Sequence, residues 1–534
     1  MLRTELVQPL AERLRANAVH QGEQTAFADG RRSVTWAELD RRTARVAGHL
    51  AGLGVHPAGR VLLYLHDCVE AVETYLAVLR AGAITAPVHT GLDDTALAGL
   101  LTDSLAQAVV TDSAHLAQVR RLRERFPDLV VVLVDHDRSD AERDRELPVY
   151  SVLAETEPEL TIEGDLGLDD LAFLAYTAGT VSGTPRGVLF SQRNVMWPVA
   201  ACYAPLLGLE SDDRVCCPLP LAEGLAQQVG VIAVVAVGAT GWIADPDTRR
   251  ADFLDEVVEQ RITFLAGMRS TFQDLLSAAD GRQDAAPDLR TGLVAGSSGI
   301  ALLREGFEET FGVRLVDSYM TTETTGPVTV SWPTDGLADA ERGLPIPGIS
   351  VRVVDPRSGV DAGVGQEGEI WVSGPNVAAG GYHNPSATSP SMTVDGWHHT
   401  GDLGRRDELG YLAVTGRMAE VIRRGAERIN PREVENLLVG VSGVAAAVVI
   451  GRRDNTRGEL PVAYLQADPD GLDIDGILGA CRRLAPSTVP VELYRVDEIP
   501  RARAGRLARR ALTDVPAELV AVWPVERSRR RGPR

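Results

Sequence analysis

Residues 176–194 read YTAGTVSGTPRGVLFSQRN. An apolar run ends at Tyr176, small and hydroxylated residues follow, and a Gly-Thr-Pro-Arg-Gly turn leads into a second strand-like run. In such a loop, backbone N–H groups and hydroxyls can converge on phosphate oxygens. Thr177, Gly179, Thr180, Ser182, Gly183 and Thr184 are the candidate contacts, with Arg186 where a phosphate loop generally carries lysine. The spacing is not that of a GxxxxGK[ST] loop. Taken alone, such a stretch is more often just a glycine-rich turn. The arginine belongs to a wider pattern, because all 54 basic Lys and Arg positions of the chain are arginine.

On the N-terminal side, SVTWAELDRRTARVAGHLAGLG (33–54) is an amphipathic helix opened by a capping box, Thr35 with Glu38, and closed by glycine. The short β-rich runs RVLLYL, AITAPV, AVVTD and LVVVLVD alternate with helical stretches, the pattern of a parallel α/β sheet. The alternation resumes at LAFLAYTAG and runs to VRLVDSYMTTET; from GISVRVVD through GEIWVSGP the elements become short, turn-bounded strands of a small β subdomain. After GYLAVTGR the chain restarts as an α+β unit with PREVENLL and DIDGILGACRRLA as helices and AAAVVIG and PVAYLQA as strands. The expected organisation is an N-terminal domain over residues 1–416, a C-terminal domain over 417–513 and an unstructured tail or linker over 514–534.

Bulk properties narrow the function. At 534 residues the chain is too long for one core. A net charge of −20 argues against nucleic acid or an anionic membrane as the partner. The longest apolar run, VGVIAVVAVGATGWIA (229–244), is short and broken by glycine, so a buried strand or core helix is expected. The N-terminal stretch MLRTELVQPLAERLRANAV holds no apolar signal core, and the five cysteines have no CxxC spacing. Both point to a cytoplasmic protein with core thiols. His398 and His399 lack spaced ligand partners and read as an ordinary loop pair rather than a metal site.

Four further stretches give the loop its meaning: DSYMTTETTG (317–326), WHHTGDLG (397–404), GYLAVTGRMAEVIRRGAERINPREVE (410–435) and IPRARAGRLARRAL (499–512). In this order and at these separations, from about Thr25 to about Leu512, the set resembles the adenylate-forming (AMP-binding) superfamily of acyl-CoA synthetases and adenylation domains. The segments RTELVQPLAERLRANA and SQRNVMWPVAACYAPLLGL are most similar to ligase domains that load starter acids onto modular polyketide synthases. The resemblance implies an α/β fold with α/β subdomains and a small β-barrel in the N-terminal domain, and a small mobile α+β C-terminal domain. It also implies ATP and Mg2+ as cofactors, a carboxylic acid as substrate, and an acyl carrier protein or CoA as thiol acceptor. The implied roles are these. Thr322 and Glu323 contact the α-phosphate and Mg2+; Asp402 accepts from the ribose hydroxyls, with Arg417 as a second contact; Ser297, Ser298, Gly299 and Tyr319 hold adenine.

The departures from the family pattern fall on catalytic parts. The phosphate loop has one extra residue and Arg186 for lysine. Met320 replaces a glycine beside the acyl pocket, and Glu223 stands where relatives often have histidine, where its charge would repel a carboxylate. The hinge position, usually Asp or Lys, is Ala419, and the catalytic C-terminal lysine is Arg506, whose planar fork is larger than an ammonium. Three readings stay open on the sequence: an active acid–thiol ligase, a catalytically inactive relative kept as a structural or carrier-docking domain, and an adenylating enzyme for a non-standard substrate such as nitrite.

Overall fold

The capping pair read at Thr35 and Glu38 opens the helix Trp36–Gly52. The Glu38 amide donates to Thr35 Oγ1 at 3.3 Å and the Thr35 amide donates to Glu38 Oε2 at 3.0 Å, satisfying two of the helix's unpaired N–H groups. In this computed structural model the described residues are 1–134, 147–162, 166–177, 185–245, 252–282, 285–296, 301–331, 342–378, 396–425, 427–467, 471–500 and 509–523. The chain divides into two units, Met1–Val351 with Trp371–His399, and Arg352–Ile370 with Thr400–Arg534.

In the first unit, the β-rich runs form a six-stranded sheet: β1 (Arg60–Tyr64), β2 (Ile84–Pro87), β3 (Ala106–Asp112), β4 (Val130–Val134), β5 (Leu171–Tyr176) and β6 (Gly187–Ser191). Their spatial order is β4-β3-β1-β2-β5-β6. The first five are parallel and β6 is antiparallel to β5. The helices α1 (Val69–Arg80), α2 (Asp94–Ser104) and α3 (Ser113–Arg123) make the crossovers. The chain moves from β1 to β2 on one side, then returns past β1 to β3, so the winding reverses between β1 and β3. Such a switch point leaves a crevice at the carboxyl ends of the two strands.

Helix α1 is buried along its whole length, including its charges. Glu73, with 0% exposure, accepts from Arg32 Nη2 (2.8 Å) and from Arg42 Nε (2.7 Å) and Nη2 (3.2 Å), so the ions enter the core as a hydrogen-bonded set.

A second sheet in this unit runs, in spatial order, through Arg342–Pro345, Thr329–Val330, Leu315–Tyr319, Thr291–Ala295, Phe264–Met268, Arg214–Cys216, Thr240–Trp242, Thr25–Ala28 and Ser33–Thr35. The apolar run 229–244 is both things expected of it. Ala226–Ala233 is a wide π-helical stretch continued by Val234–Val237, and Thr240–Trp242 is a strand. Gly238 makes the break at φ +83°, where a Cβ would meet Gln21 Nε2 at 2.4 Å.

In the second unit, Ile422–Arg424, Glu427–Ile429, Ala446–Asp454, Gly458–Gln466, Glu492–Val496 and Glu518–Val522 form one sheet. Helices Pro431–Val439 and Ile474–Cys481 contribute Val434, Leu438, Ile477 and Cys481 to the core against it. The tail expected to be unstructured is ordered through Trp523. Glu518–Val522 pairs antiparallel with Glu492–Val496, and Val520, Ala521 and Trp523 pack on the core. Residues 524–534 lie outside the described residues.

Candidate functional site

Strands β5 and β6 hold the two ends of the opening loop. The Thr177 amide donates to the Arg186 carbonyl at 2.9 Å, and the Arg186 amide returns a bond to Thr177 Oγ1 at 3.1 Å. Gly187 lets the closure pack tightly, since a Cβ there would lie 2.9 Å from Leu174 Cδ1 and 3.2 Å from the Tyr176 ring and would push them aside. Gly179, Thr180, Ser182, Gly183 and Thr184 lie outside the described residues, as do Ser297, Ser298, Gly299 and Arg506.

The Thr-Glu pair sits on a turn that follows strand Leu315–Tyr319. Tyr319 and Met320 are half-buried on its approach, and the Tyr319 carbonyl accepts from the Val328 amide at 2.7 Å. Thr322–Thr324 make one 3-10 turn, begun by the Thr321 amide donating to Thr324 Oγ1 at 3.1 Å. The chain leaves through Thr325 at φ +53°, a strained value for a β-branched residue. Thr325 Oγ1 donates to the Asn194 carbonyl (3.1 Å), the Ala378 amide donates to the Glu323 carbonyl (2.9 Å), and Asn194 Nδ2 donates to the carbonyls of Pro375 (2.7 Å) and Val377 (2.8 Å). The turn is thereby tied to helix Gln192–Pro198 and to residues 375–378. The Glu323 carboxylate lies 3.8 Å from Nε2 of buried His398. His398 and His399 are strand residues, not the loop pair expected, and His399 stacks on Trp371 at 3.8 Å between ring centroids.

Asp402 and Arg417 face each other as a cross-strand pair, the strand His398–Arg406 running antiparallel to Leu412–Arg417. Arg417 Nε is 2.9 Å from Asp402 Oδ1; the carboxylate side chain is 5% exposed and the guanidinium 38%. The Asp402 amide donates to Thr400 Oγ1 at 3.0 Å, and that hydroxyl donates to the Ile370 carbonyl at 2.8 Å. This relay fixes the backbone under the carboxylate. Ala419, the expected hinge position, lies in the turn Met418–Glu420. Arg509, three residues past Arg506, has a structural role. It is paired with Glu420 at 3.3 Å and with Glu435, whose Oε2 accepts from Nη2 at 2.9 Å.

Glu223 has a partner that sequence reading missed. His89 Nε2, just beyond β2, lies 3.0 Å from Glu223 Oε1. Nearby Asp67 accepts from the Leu221 amide at 3.0 Å, and burial pushes its carboxyl up to about 6. The residues are 134 and 154 positions apart in the chain, so no local pattern marks them. The one available signal was position: both His89 and Asp67 follow strands of a parallel sheet at their carboxyl ends, where α/β ligands gather.

These geometries occur in a chain of recognisable descent. A model for AMP-binding enzymes matches residues 14–383, and one for the AMP-binding enzyme C-terminal domain matches 433–506. The chain belongs to the AMP-binding enzyme family. Among family members, it is 33% identical over 517 residues to naringenin synthase of Pestalotiopsis fici, covering 95% of this chain but 19% of that protein. It thus spans about a fifth of that relative's length. Feruloyl-CoA synthase of an Amycolatopsis species is 32% identical over 493 residues, 91% of this chain and 94% of that one. The fold is similar to that of ATP-bound MatB from Rhodopseudomonas palustris, with a TM-score of 0.84, 26% identity, and coverage of 96% and 99% of the two chains. Among the described residues, no helix is long and apolar enough to cross a membrane.

Proposed function

We propose that this AMP-binding family member activates a carboxylic acid with ATP and passes the acyl group to a thiol. In the first step a carboxylate oxygen attacks the α-phosphorus, the bond to pyrophosphate breaks, and acyl-AMP forms. In the second, a thiolate sulfur attacks the acyl carbon and AMP leaves. The thiol is CoA or the phosphopantetheine of an acyl carrier protein, and the setting is cytoplasmic starter-acid loading in polyketide-type secondary metabolism. The length relation to naringenin synthase supports that setting, and the likeness to feruloyl-CoA synthase puts cinnamic-type acids first among substrates.

The observation that carries the reading is the Thr322–Glu323 turn, clamped on both sides so that a hydroxyl and a carboxylate are held on a short strained connection. A carboxylate oxygen is the donor type that suits Mg2+, and Glu323 would hold it. When bound, the ion neutralises phosphate charge. Thr322 orients the α-phosphate; Thr177 and Arg186, at the two ends of the opening loop, reach the outer phosphates; Asp402 and Arg417 grip the ribose. His89 Nε2, 3.0 Å from Glu223 Oε1, ties up the carboxylate that otherwise would oppose an incoming acid. We set the boundary between the large N-terminal and small C-terminal domains at Gly416 and Arg417. The turn Met418–Glu420, anchored through Glu420 to Arg509, is the first element beyond it.

The rival reading is a domain that binds nucleotide without turnover. What favours it is Arg506 in place of the family's lysine, because a guanidinium cannot occupy the same point between two oxyanions. ATP–pyrophosphate exchange across cinnamic, benzoic and short-chain acids, with Mg2+, separates the two. Acid-dependent exchange is expected. ATP binding with no exchange for any acid overturns the ligase reading in favour of the rival.

A further inference from the structure

Three side chains of ligand type meet at the sheet's switch point, and none of them is among the residues proposed above to hold nucleotide. His66 lies two residues past β1, Asp112 ends β3, and His115 occupies the first turn of α3. One Asp112 oxygen is 2.7 Å from His66 Nδ1 and the other is 2.6 Å from His115 Nδ1. The same two oxygens accept from the backbone amides of His66 (2.9 Å) and His115 (3.1 Å). One ligand atom from each of the three residues lies within 4.8 Å of the others, and among the described residues no other trio of His, Cys, Asp or Glu does this.

The helix N-cap role of Asp112 accounts for its bond from the His115 amide. It does not account for a second imidazole, brought by a different strand, against the other oxygen. Nor does it account for the two rings lying 4.7 Å apart between centroids. The Asp112 side chain is 1% exposed, the His115 side chain 16% and the His66 side chain 47%, so the trio is rooted in the core and open on one side. Burial works to raise the carboxyl of Asp112, but the His66 amide and the His115 ring hold it below the usual carboxylate range. The Tyr64 ring packs edge-on against His115, and Tyr64 Oη lies 2.7 Å from Gln118 Oε1 on the same helix as His115.

We propose that His66, Asp112 and His115 form a binding site for a divalent first-row transition ion of the Zn2+ type. Two imidazoles and one carboxylate are a borderline donor set that suits Zn2+, Co2+ or Ni2+ and disfavours Mg2+ or Ca2+. Ligand atoms around a tetrahedral Zn2+ with bonds near 2.0–2.1 Å sit roughly 3.3 Å apart. The present pairs, at 2.7 Å to one Asp112 oxygen and 2.6 Å to the other, need to open by about 0.6–0.7 Å, with the carboxylate turning to present an oxygen to both rings and the ion replacing the shared ring protons. The half-exposed His66 ring on its post-strand loop can make that adjustment. At least one coordination position stays open toward the crevice between β1 and β3, for water or an anionic ligand. The inference is independent of adenylation.

The test is a Co2+ titration of the chelator-treated full chain, followed by visible absorption, with Zn2+ as competitor. Expected are one equivalent of Co2+ bound, displacement by Zn2+, and a rise in thermal midpoint on adding Zn2+. His66→Ala and His115→Ala should each weaken Co2+ binding at least tenfold, while His56→Ala leaves it unchanged. His66→Gln, which keeps a polar group at the exposed position, gives the same comparison if an alanine variant fails to fold. Absence of the Co2+ spectrum at millimolar metal overturns the proposal, as does unchanged affinity in His66→Gln.

Discussion

Replacing Asp402 by asparagine tests the nucleotide reading with little change of shape. In the protein as it stands, the Asp402 carboxylate is almost wholly buried, and Arg417 Nε lies 2.9 Å away on the neighbouring strand. Asp402→Asn keeps the volume and one acceptor oxygen but removes the charge. Arg417 is 38% exposed, so water can replace part of the lost contact. The stability cost is therefore about 1–2 kcal/mol, below the ~3–5 kcal/mol expected when a fully buried ion loses its partner. Nucleotide binding should suffer more. A carboxylate that accepts from ribose hydroxyls makes charge-assisted bonds of about 1.5–3 kcal/mol each, so losing the charge weakens ATP by roughly 10- to 100-fold. Calorimetry with ATP and with 2′,3′-dideoxy-ATP gives the decisive comparison. The unmodified protein should prefer ATP strongly, and the variant should bind both nucleotides almost equally. A variant that still discriminates between them as well as the parent refutes the ribose role of Asp402, whatever its overall affinity.

Other expectations bear on stability and on chemistry. Glu73→Gln removes the charge shared by Arg32 and Arg42, which keep Glu70 and Glu155 as partners, and should cost about 1–3 kcal/mol in denaturant unfolding, whereas a Glu73→Met, Arg42→Met pair should recover a good part of it. Arg506→Lys should raise pyrophosphate exchange by on the order of 100-fold, equivalent to ~3 kcal/mol, because a compact ammonium can approach both reacting oxygens. Arg186→Lys should change exchange much less, since the outer phosphates tolerate looser geometry. Limited proteolysis should release a C-terminal fragment starting near Arg417; cleavage confined to other regions counts against that boundary.

Much of the scaffold was legible because its rules are local. Thr35 and Glu38 are three residues apart and capped the helix they announced; the runs at 60, 84, 106 and 130 became parallel strands because continuous apolar stretches suit a sheet covered on both faces. The candidate nucleotide motifs rest on resemblance; Thr322, Glu323, Asp402 and Arg417 fall on turns or strands, which local patterning alone did not mark as a site. What local patterning missed depends on long-range closure. His66 and Asp112 are 46 residues apart and His89 and Glu223 are 134 apart, so only the folded sheet brings them together. The strand Glu518–Val522 was missed for a related reason: it is edge-placed and largely exposed, and its short apolar run lies beside a charged tail.

All five thiols are buried, and burial raises the pKa of each one. The chain also lacks every lysine amine. Acyl-adenylates are mixed anhydrides that attack nearby amines and thiolates. Under the proposed function, a protein that displays neither nucleophile on its side chains is poorly able to acylate itself, so an intermediate that escapes before transfer would meet water or the intended thiol first. The same exterior makes it a clean host for chemical labelling, since an introduced surface lysine would be the only lysine and an introduced surface cysteine the only accessible thiol.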